Sequence, residues 1–245
     1  MNGWLPDHRL RCLPETRRLA GNHTMTASLL APVDLYCERL STTFWAEPVN
    51  ALSNLAFLLA AYFLWRLPLP QGRSTVVMSR ILTLMVAVIG VGSFLFHTFA
   101  QRWALFADVI PISVYQVLFL AFYVRQVARC SWLVTMGWVL FFFAVTYGVG
   151  MLPDQWLNGS VASYGSAWLF IGGLGVYHWR MRKAEPGILL LATGVFTLSL
   201  VLRSMDMAVC PSISIGTHMF WHLLNGVVLY LTTRAFVLNA DRPPR

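Results

Sequence analysis

Charge is scarce in this sequence. Only 11% of its 245 residues are charged, while 57% are hydrophobic; a typical globular chain carries roughly 25% charged residues. A water-soluble chain of this length has far more surface to wet than 18 basic and 10 acidic side chains cover. Lipid is therefore the solvent that the composition implies. Lysine is scarcer still, since Lys183 is the only one and lies between apolar runs. A retinal protein, which needs a lysine inside a span, is excluded. The four cysteines, Cys12, Cys37, Cys130 and Cys210, form no CxxC and no zinc-finger spacing, which argues against a thiolate metal site. No cleavable signal peptide is expected, because the polar, arginine-bearing stretch before residue 45 lacks an apolar core. There is no internal repeat and no low-complexity tract.

What is present is a series of apolar runs. A hydrocarbon core of ~30 Å needs about 20 apolar residues in a helix. Seven stretches qualify, at approximately 49–66, 80–99, 103–124, 131–152, 160–179, 187–205 and 216–237. The expected fold is an all-α membrane protein, a seven-transmembrane-helix bundle. Basic residues then test its orientation. One side carries Arg66, Arg73, Arg80, Arg125, Arg129, Arg180, Arg182, Lys183, Arg234, Arg242 and Arg245; the other has only Arg39, Arg102 and Arg203 near the spans. Basic residues gather in cytoplasmic loops, so the C-terminus is expected in the cytoplasm and the N-terminus outside. The net charge of +8 is thereby explained by topology, and no nucleic-acid partner and no obligate protein partner are expected. Residues 1–33 read as an N-terminal tail, 34–240 as the membrane domain and 241–245 as a C-terminal tail. Within the first, residues 1–24 read equally as a flexible tail or as an over-extended start, with translation beginning at Met25.

Ionisable residues inside spans are costly and usually functional. The second span ends in Ser93-Phe-Leu-Phe-His97, whose serine and histidine are four apart and share a helical face. The third carries Asp108 soon after its start. The seventh begins His218-Met-Phe-Trp-His222, again four apart. Following the chain through seven spans brings all five residues to the outer layer. Three histidines suit a catalytic zinc with an open fourth position. Asp108 suits handling the proton of an attacking water, and Ser93 suits binding a developing oxyanion. Alternatives remain at this point. A histidine in a membrane also serves as a helix–helix hydrogen-bonding group, and paired histidines also ligate haem. His8, His23 and His178 have no partners at useful spacing. Arg203 and Asp206 are spaced as a helical ion pair that anchors a helix end. Cys37 and Cys210 both fall on the outer face, where oxidation is permitted, and are expected to form a disulfide. Cys130 falls at the cytoplasmic end and is expected to stay reduced.

At these residues the sequence resembles the alkaline ceramidases, members of a wider group of seven-helix membrane hydrolases that includes the progestin and adiponectin receptors. Gly92-Ser93-Phe94-Leu95-Phe96-His97, Asp108 and His218-Met219-Phe220-Trp221-His222 carry the resemblance. Asp34-Leu-Tyr-Cys37-Glu38 and Ala46-Glu47-Pro-Val-Asn50-Ala-Leu-Ser53-Asn54 extend it. The resemblance implies that His97, His218 and His222 bind zinc, that Ser93 and Asp108 complete the catalytic site, and that a ceramide-like membrane lipid is hydrolysed at its amide. It also implies calcium, which eukaryotic members bind through a Trp-Cys-Glu-x-Asn segment and a later Glu. Here Leu40 stands at the Asn position, the departure of a bacterial-type member, and Asp34, Glu38 and Glu47 are left as oxygen ligands. The alternative reading is a receptor-like lipid-binding protein with a structural zinc.

Overall fold

A computed structural model describes residues 28–153 and 155–242. Eight α-helices follow in order: α1 (Pro48–Ser53), α2 (Leu55–Trp65), α3 (Arg73–Phe99), α4 (Arg102–Phe122), α5 (Trp132–Gly150), α6 (Ser160–Arg180), α7 (Ile188–Val209) and α8 (His218–Asn239). A π-helical turn, Tyr123–Val127, continues α4. No strand occurs among the described residues, only an isolated bridge between Pro32 and Gln101. The expected N-terminal tail up to residue 24, with His8 and His23, lies outside the described residues.

Among the described residues, five stretches are long and apolar enough to cross a bilayer: Pro48–Trp65 (α1 and α2 together), Arg73–Phe99, Arg102–Val127, Trp132–Gly150 and Ile188–Val209. The chain is thus an all-α, multi-pass membrane protein. The helices α6 and α8 are of similar length, 21 and 22 residues, but more polar. For α8 the reason is its position. It packs against α2, α3, α4 and α7, so its His222, Asn225, Thr232 and Thr233 meet protein rather than lipid. The outermost helix shows the opposite. In α5 only Thr135 and Phe142 are buried, while Leu133, Leu140, Phe143 and Tyr147 point outward.

Successive helices pack side by side, and α8 closes the ring against α2. The main core gathers Phe57, Leu82, Val86, Ile89, Tyr123 and Phe236. Two boundaries differ from expectation. The first span breaks at Asn54, whose side chain donates to the Asn50 carbonyl at 2.9 Å. The second span begins at Arg73, not near residue 80, because Arg80 need not leave the helix. Its guanidinium lies 3.8 Å from the Trp65 ring centroid and donates to the Trp65 carbonyl at 3.0 Å, so the charge is held while the stem stays along apolar surface.

The contact of α3 with α4 is the one that positions the site. A Cβ on Gly92 would collide with the carbonyl of Ala107. Pro111, inside α4, has no N–H to give that carbonyl, so it is left to face α3. This close approach sets Ser93 beside Asp108.

Residues 28–47 fold back over the same end of the bundle. The Val33 N–H donates to the Ala100 carbonyl at 2.8 Å, and those of Arg102 and Trp103 donate to Ala31 and Leu29, both at 3.0 Å. The expected disulfide is present: Cys37 and Cys210 are bonded, with Cα atoms 5.5 Å apart and a sequence separation of 173. Cys130 is a free thiol. In the chain-entropy view, closing so long a loop stabilises by up to about 5 kcal/mol. Cys37 and Cys210 are therefore expected to resist alkylation until reduced, and Cys210→Ser to lower the thermal unfolding temperature. Mass spectrometry of alkylated protein and a melting curve check both; ready labelling of Cys37 without reductant contradicts the bridge.

Candidate metal centre

Three histidines meet at the covered end. His97 is the third-last residue of α3, which stops where Ala100 turns left-handed at φ 45°. His218 opens α8, and His222 follows one turn later on the same face. They are 0%, 1% and 1% exposed. One ring nitrogen from each lies within 4.8 Å of the others. Among the described residues, His97 Nε2 and His218 Nδ1 are buried with no hydrogen-bond partner. Buried polar atoms are rarely left so, unless something else binds them.

The outer sides of the rings fix which nitrogens are free. His97 Nδ1 lies 2.6 Å from Glu47 Oε2. A carboxylate only accepts, so Nδ1 carries the proton and the lone pair is on Nε2. The Ser53 hydroxyl donates to the Asn50 carbonyl at 2.8 Å and lies 2.7 Å from His222 Nδ1. Its single proton being used, it accepts from Nδ1–H, and the His222 lone pair is likewise on Nε2. The Tyr36 ring stacks on His218, centroids 3.6 Å apart. Burial alone pushes the Glu47 carboxyl up, but His97 and the Arg39 guanidinium outweigh it and hold it below the usual carboxylate range. His97 and His222, with lone pairs turned inward and outer N–H groups anchored, have the surroundings of metal-ligating histidines, and the His218 ring completes the donor set.

Ser93 and Asp108 lie beside the histidines. Ser93 Oγ is 3.4 Å from His222 Nε2. Asp108 faces Ser93, His97 and Arg203. The five residues singled out from the sequence thus come together. Arg203 itself lies over Tyr164 and Trp221, 5.3 and 5.5 Å from their ring centroids, and donates to Ser160 Oγ at 2.9 Å.

Other expectations need correction. Arg203 and Asp206 do not pair. Asp206, 2% exposed, accepts instead from the backbone N–H groups of Cys37, Thr217 and His218 at 2.9, 2.7 and 2.8 Å. The expected calcium ligands do not assemble. Asp34 is exposed, and both Glu38 oxygens cap α1 by accepting from the Val49 and Asn50 N–H groups at 2.7 and 2.8 Å. Glu47 turns to His97 and Arg39. The histidines are the one group of three or more His, Cys, Asp or Glu side chains placed for a metal among the described residues. His178, read as unpartnered, is buried between the Tyr123 hydroxyl at 2.6 Å and the Ala184 carbonyl at 2.9 Å, a structural role.

Reading by sequence missed Arg39, Ser53, Tyr36 and the capping role of Asp206. A signal existed for Ser53: Glu47, Asn50 and Ser53 recur every three residues at the mouth of an apolar run, an unusual density of polar groups for lipid.

A search of curated proteins finds no match to this chain. The sequence model of the ceramidase family matches residues 31–240, a stretch that contains the three histidines, Ser93, Asp108 and most of the covering segment, and the chain belongs to the ceramidase family.

Proposed function

We propose that this chain is a zinc-dependent intramembrane amidase that cleaves ceramide or a related N-acyl lipid into a fatty acid and a sphingoid base. Family membership gives the reaction class, an amide hydrolysis, and the lipid class of the substrate. The observation that carries the metal is the convergence of three buried histidine nitrogens within 4.8 Å, two of the rings bearing nitrogens without partners. His97, His218 and His222 would hold zinc and leave a fourth position open. When bound there, zinc supplies Lewis acidity, making water acidic enough to attack near neutral pH.

The remaining work falls to side chains. The Ser93 hydroxyl donates to the carbonyl oxygen as negative charge develops on it. Asp108 takes the proton of the attacking water and returns it to the departing nitrogen. A C–O bond forms at the acyl carbon, the C–N bond breaks, and the amine leaves neutral. Glu47 and Ser53 orient two ligands without touching substrate. An apolar internal cavity of about 60 Å³ lies between α4 and α8, reaching from Asn225 to Phe170 and Leu174. The same two residues line a groove of about 520 Å³ on the lipid-facing side of α5 and α6. Phe170 and Leu174 stand between the two, and lateral entry is the route this reading expects because the substrate's tails are already dissolved in the bilayer. Asp108 beside Ser93 supports the enzyme over a receptor with a structural zinc.

The membrane domain in this reading is residues 34–240, with 1–33 and 241–245 as tails. It has seven spans, α6 and α8 crossing with the five more apolar stretches. The C-terminus is cytoplasmic, and the N-terminus and zinc site lie toward the extracytoplasmic face.

Single replacement of His97, His218 or His222 by Ala is expected to remove most of the zinc measured by elemental analysis; full occupancy in His222→Ala would sink the ligand set. For Asp108→Asn the expectation is retained zinc with turnover of a ceramide substrate lowered by about 10²–10⁴-fold, the usual worth of acid–base help. Turnover equal to wild type contradicts that role. Glu47→Gln keeps the shape but weakens the anchor on His97, and zinc affinity is expected to fall by about 10–100-fold, as for other second-sphere partners. Competition with a graded zinc chelator measures it, and an unchanged affinity assigns Glu47 another role.

A further inference from the structure

One of the carboxylates implied for calcium, Glu47, meets an arginine instead. Arg39 is 7% exposed. Its Nε donates to Glu47 Oε1, its Nη2 to the His97 carbonyl at 3.1 Å and its Nη1 to the Ser41 carbonyl at 3.2 Å. A carboxylate and two backbone carbonyls turned toward one point are the hard oxygen ligands that calcium takes. Here that point is filled by a guanidinium, whose rigid fork of donors suits several oxygens at once. Asp34 is exposed in the cleft that Arg39 and Ser41 also line, but one surface carboxylate falls well short of the roughly six to eight oxygens that calcium takes. Both Glu38 oxygens cap α1, and the second Glu47 oxygen holds His97. Leu40 is 86% exposed and offers no side-chain oxygen.

We propose that Arg39 is the resident cation of this site, standing where the resemblance implied calcium, so that the protein neither binds nor needs that ion. Arg39 is then a positioning residue. It neutralises Glu47, which orients the His97 ring, and it also grips the His97 backbone. A covalently tethered cation makes the placement of His97 independent of calcium supply. What Arg39 positions rests on the zinc reading, whereas its exclusion of calcium does not.

The test uses the full-length protein purified in calcium-free buffer. Calcium and zinc contents are measured by elemental analysis, and melting temperature is followed as calcium chloride is raised to millimolar levels. Wild type is expected to hold no calcium and to melt at the same temperature throughout. Stoichiometric calcium, or a melting temperature that climbs with calcium, overturns the proposal. Arg39→Asn removes the cation and adds an oxygen. It is expected to lose zinc affinity by about 10–100-fold and to gain a calcium-dependent rise in melting temperature that wild type lacks. Arg39→Lys, which keeps the charge, is expected to recover part of the zinc affinity. A calcium response in Arg39→Asn no larger than that of wild type overturns the idea that the guanidinium stands in for calcium. Should Arg39→Asn not fold, the wild-type titration and Arg39→Lys still decide. Wild type lacking zinc would defeat the metal reading alone, because calcium content and melting temperature are read without zinc or turnover.

Discussion

The covered end of this protein is held by one buried carboxylate. Taking an ionised carboxylate out of water costs several kcal/mol unless donors surround it. Asp206 finds them on three different pieces of chain: Cys37 in the covering segment, Thr217 before α8 and His218 at its first residue. Two of these N–H groups lie at the start of a helix, which has no internal partners for them and favours negative charge. The bonds that satisfy Asp206 therefore also fix where α8 begins, and with it where the His218 ring stands. Gly216 shows how tight the arrangement is. It adopts φ +63°, and a Cβ there would collide with the Asp206 carboxylate and crowd Cys37. The disulfide closes the same junction covalently.

From that junction the polar network runs inward through residues 36–54. Tyr36, Arg39, Glu47 and Ser53 each touch a histidine side chain or backbone of the cluster. Polar groups in a weakly screening interior need partners, and a half-satisfied network is costly. The Glu47 carboxylate, the Ser53 hydroxyl and the Arg39 guanidinium are paired on its outer side, where Asn50 Oδ1 and Asn54 Oδ1 stay unpartnered, and on its inner side the histidine ring nitrogens face one another. The proposed metal reading draws on that convergence. The outer pairing explains why a short, mostly irregular segment belongs to the same functional unit as α3 and α8: it supplies the groups that choose the tautomers.

Much of this was legible in the sequence because the period and length of apolar runs report helices that must cross lipid. Counting spans was enough to bring His97, Asp108, His218 and His222 to one level and to pair Cys37 with Cys210. Side-chain choices between competing partners were not legible. Spacing alone makes Arg203 and Asp206 a helical pair, but backbone N–H groups from outside the helix take the carboxylate. The resemblance puts three acids into one oxygen cluster. In the fold Glu38 is taken up at the N-terminus of α1, and Glu47 by His97 and Arg39. Apolarity also misleads at the centre of a bundle: α8 falls short of a lipid-facing composition because protein, not lipid, surrounds much of it.

The two ends of the bundle carry different chemistry, and this bears on orientation. Arg180, Arg182, Lys183, Arg234 and Arg242 line a cleft of about 990 Å³ at the C-terminal ends of α6 and α8, away from the histidines. Within it Arg234 grips the Glu185 carboxylate, so most of the positive charge there is uncompensated by protein. Basic residues flanking spans favour the cytoplasmic side. The disulfide lies at the other end, with the histidines, and disulfides persist where the surroundings are oxidising. Charge bias acts during insertion, whereas oxidation acts on the folded chain, so the two signals have separate physical origins. The proposed extracytoplasmic placing of the histidine cluster rests on these two signals together.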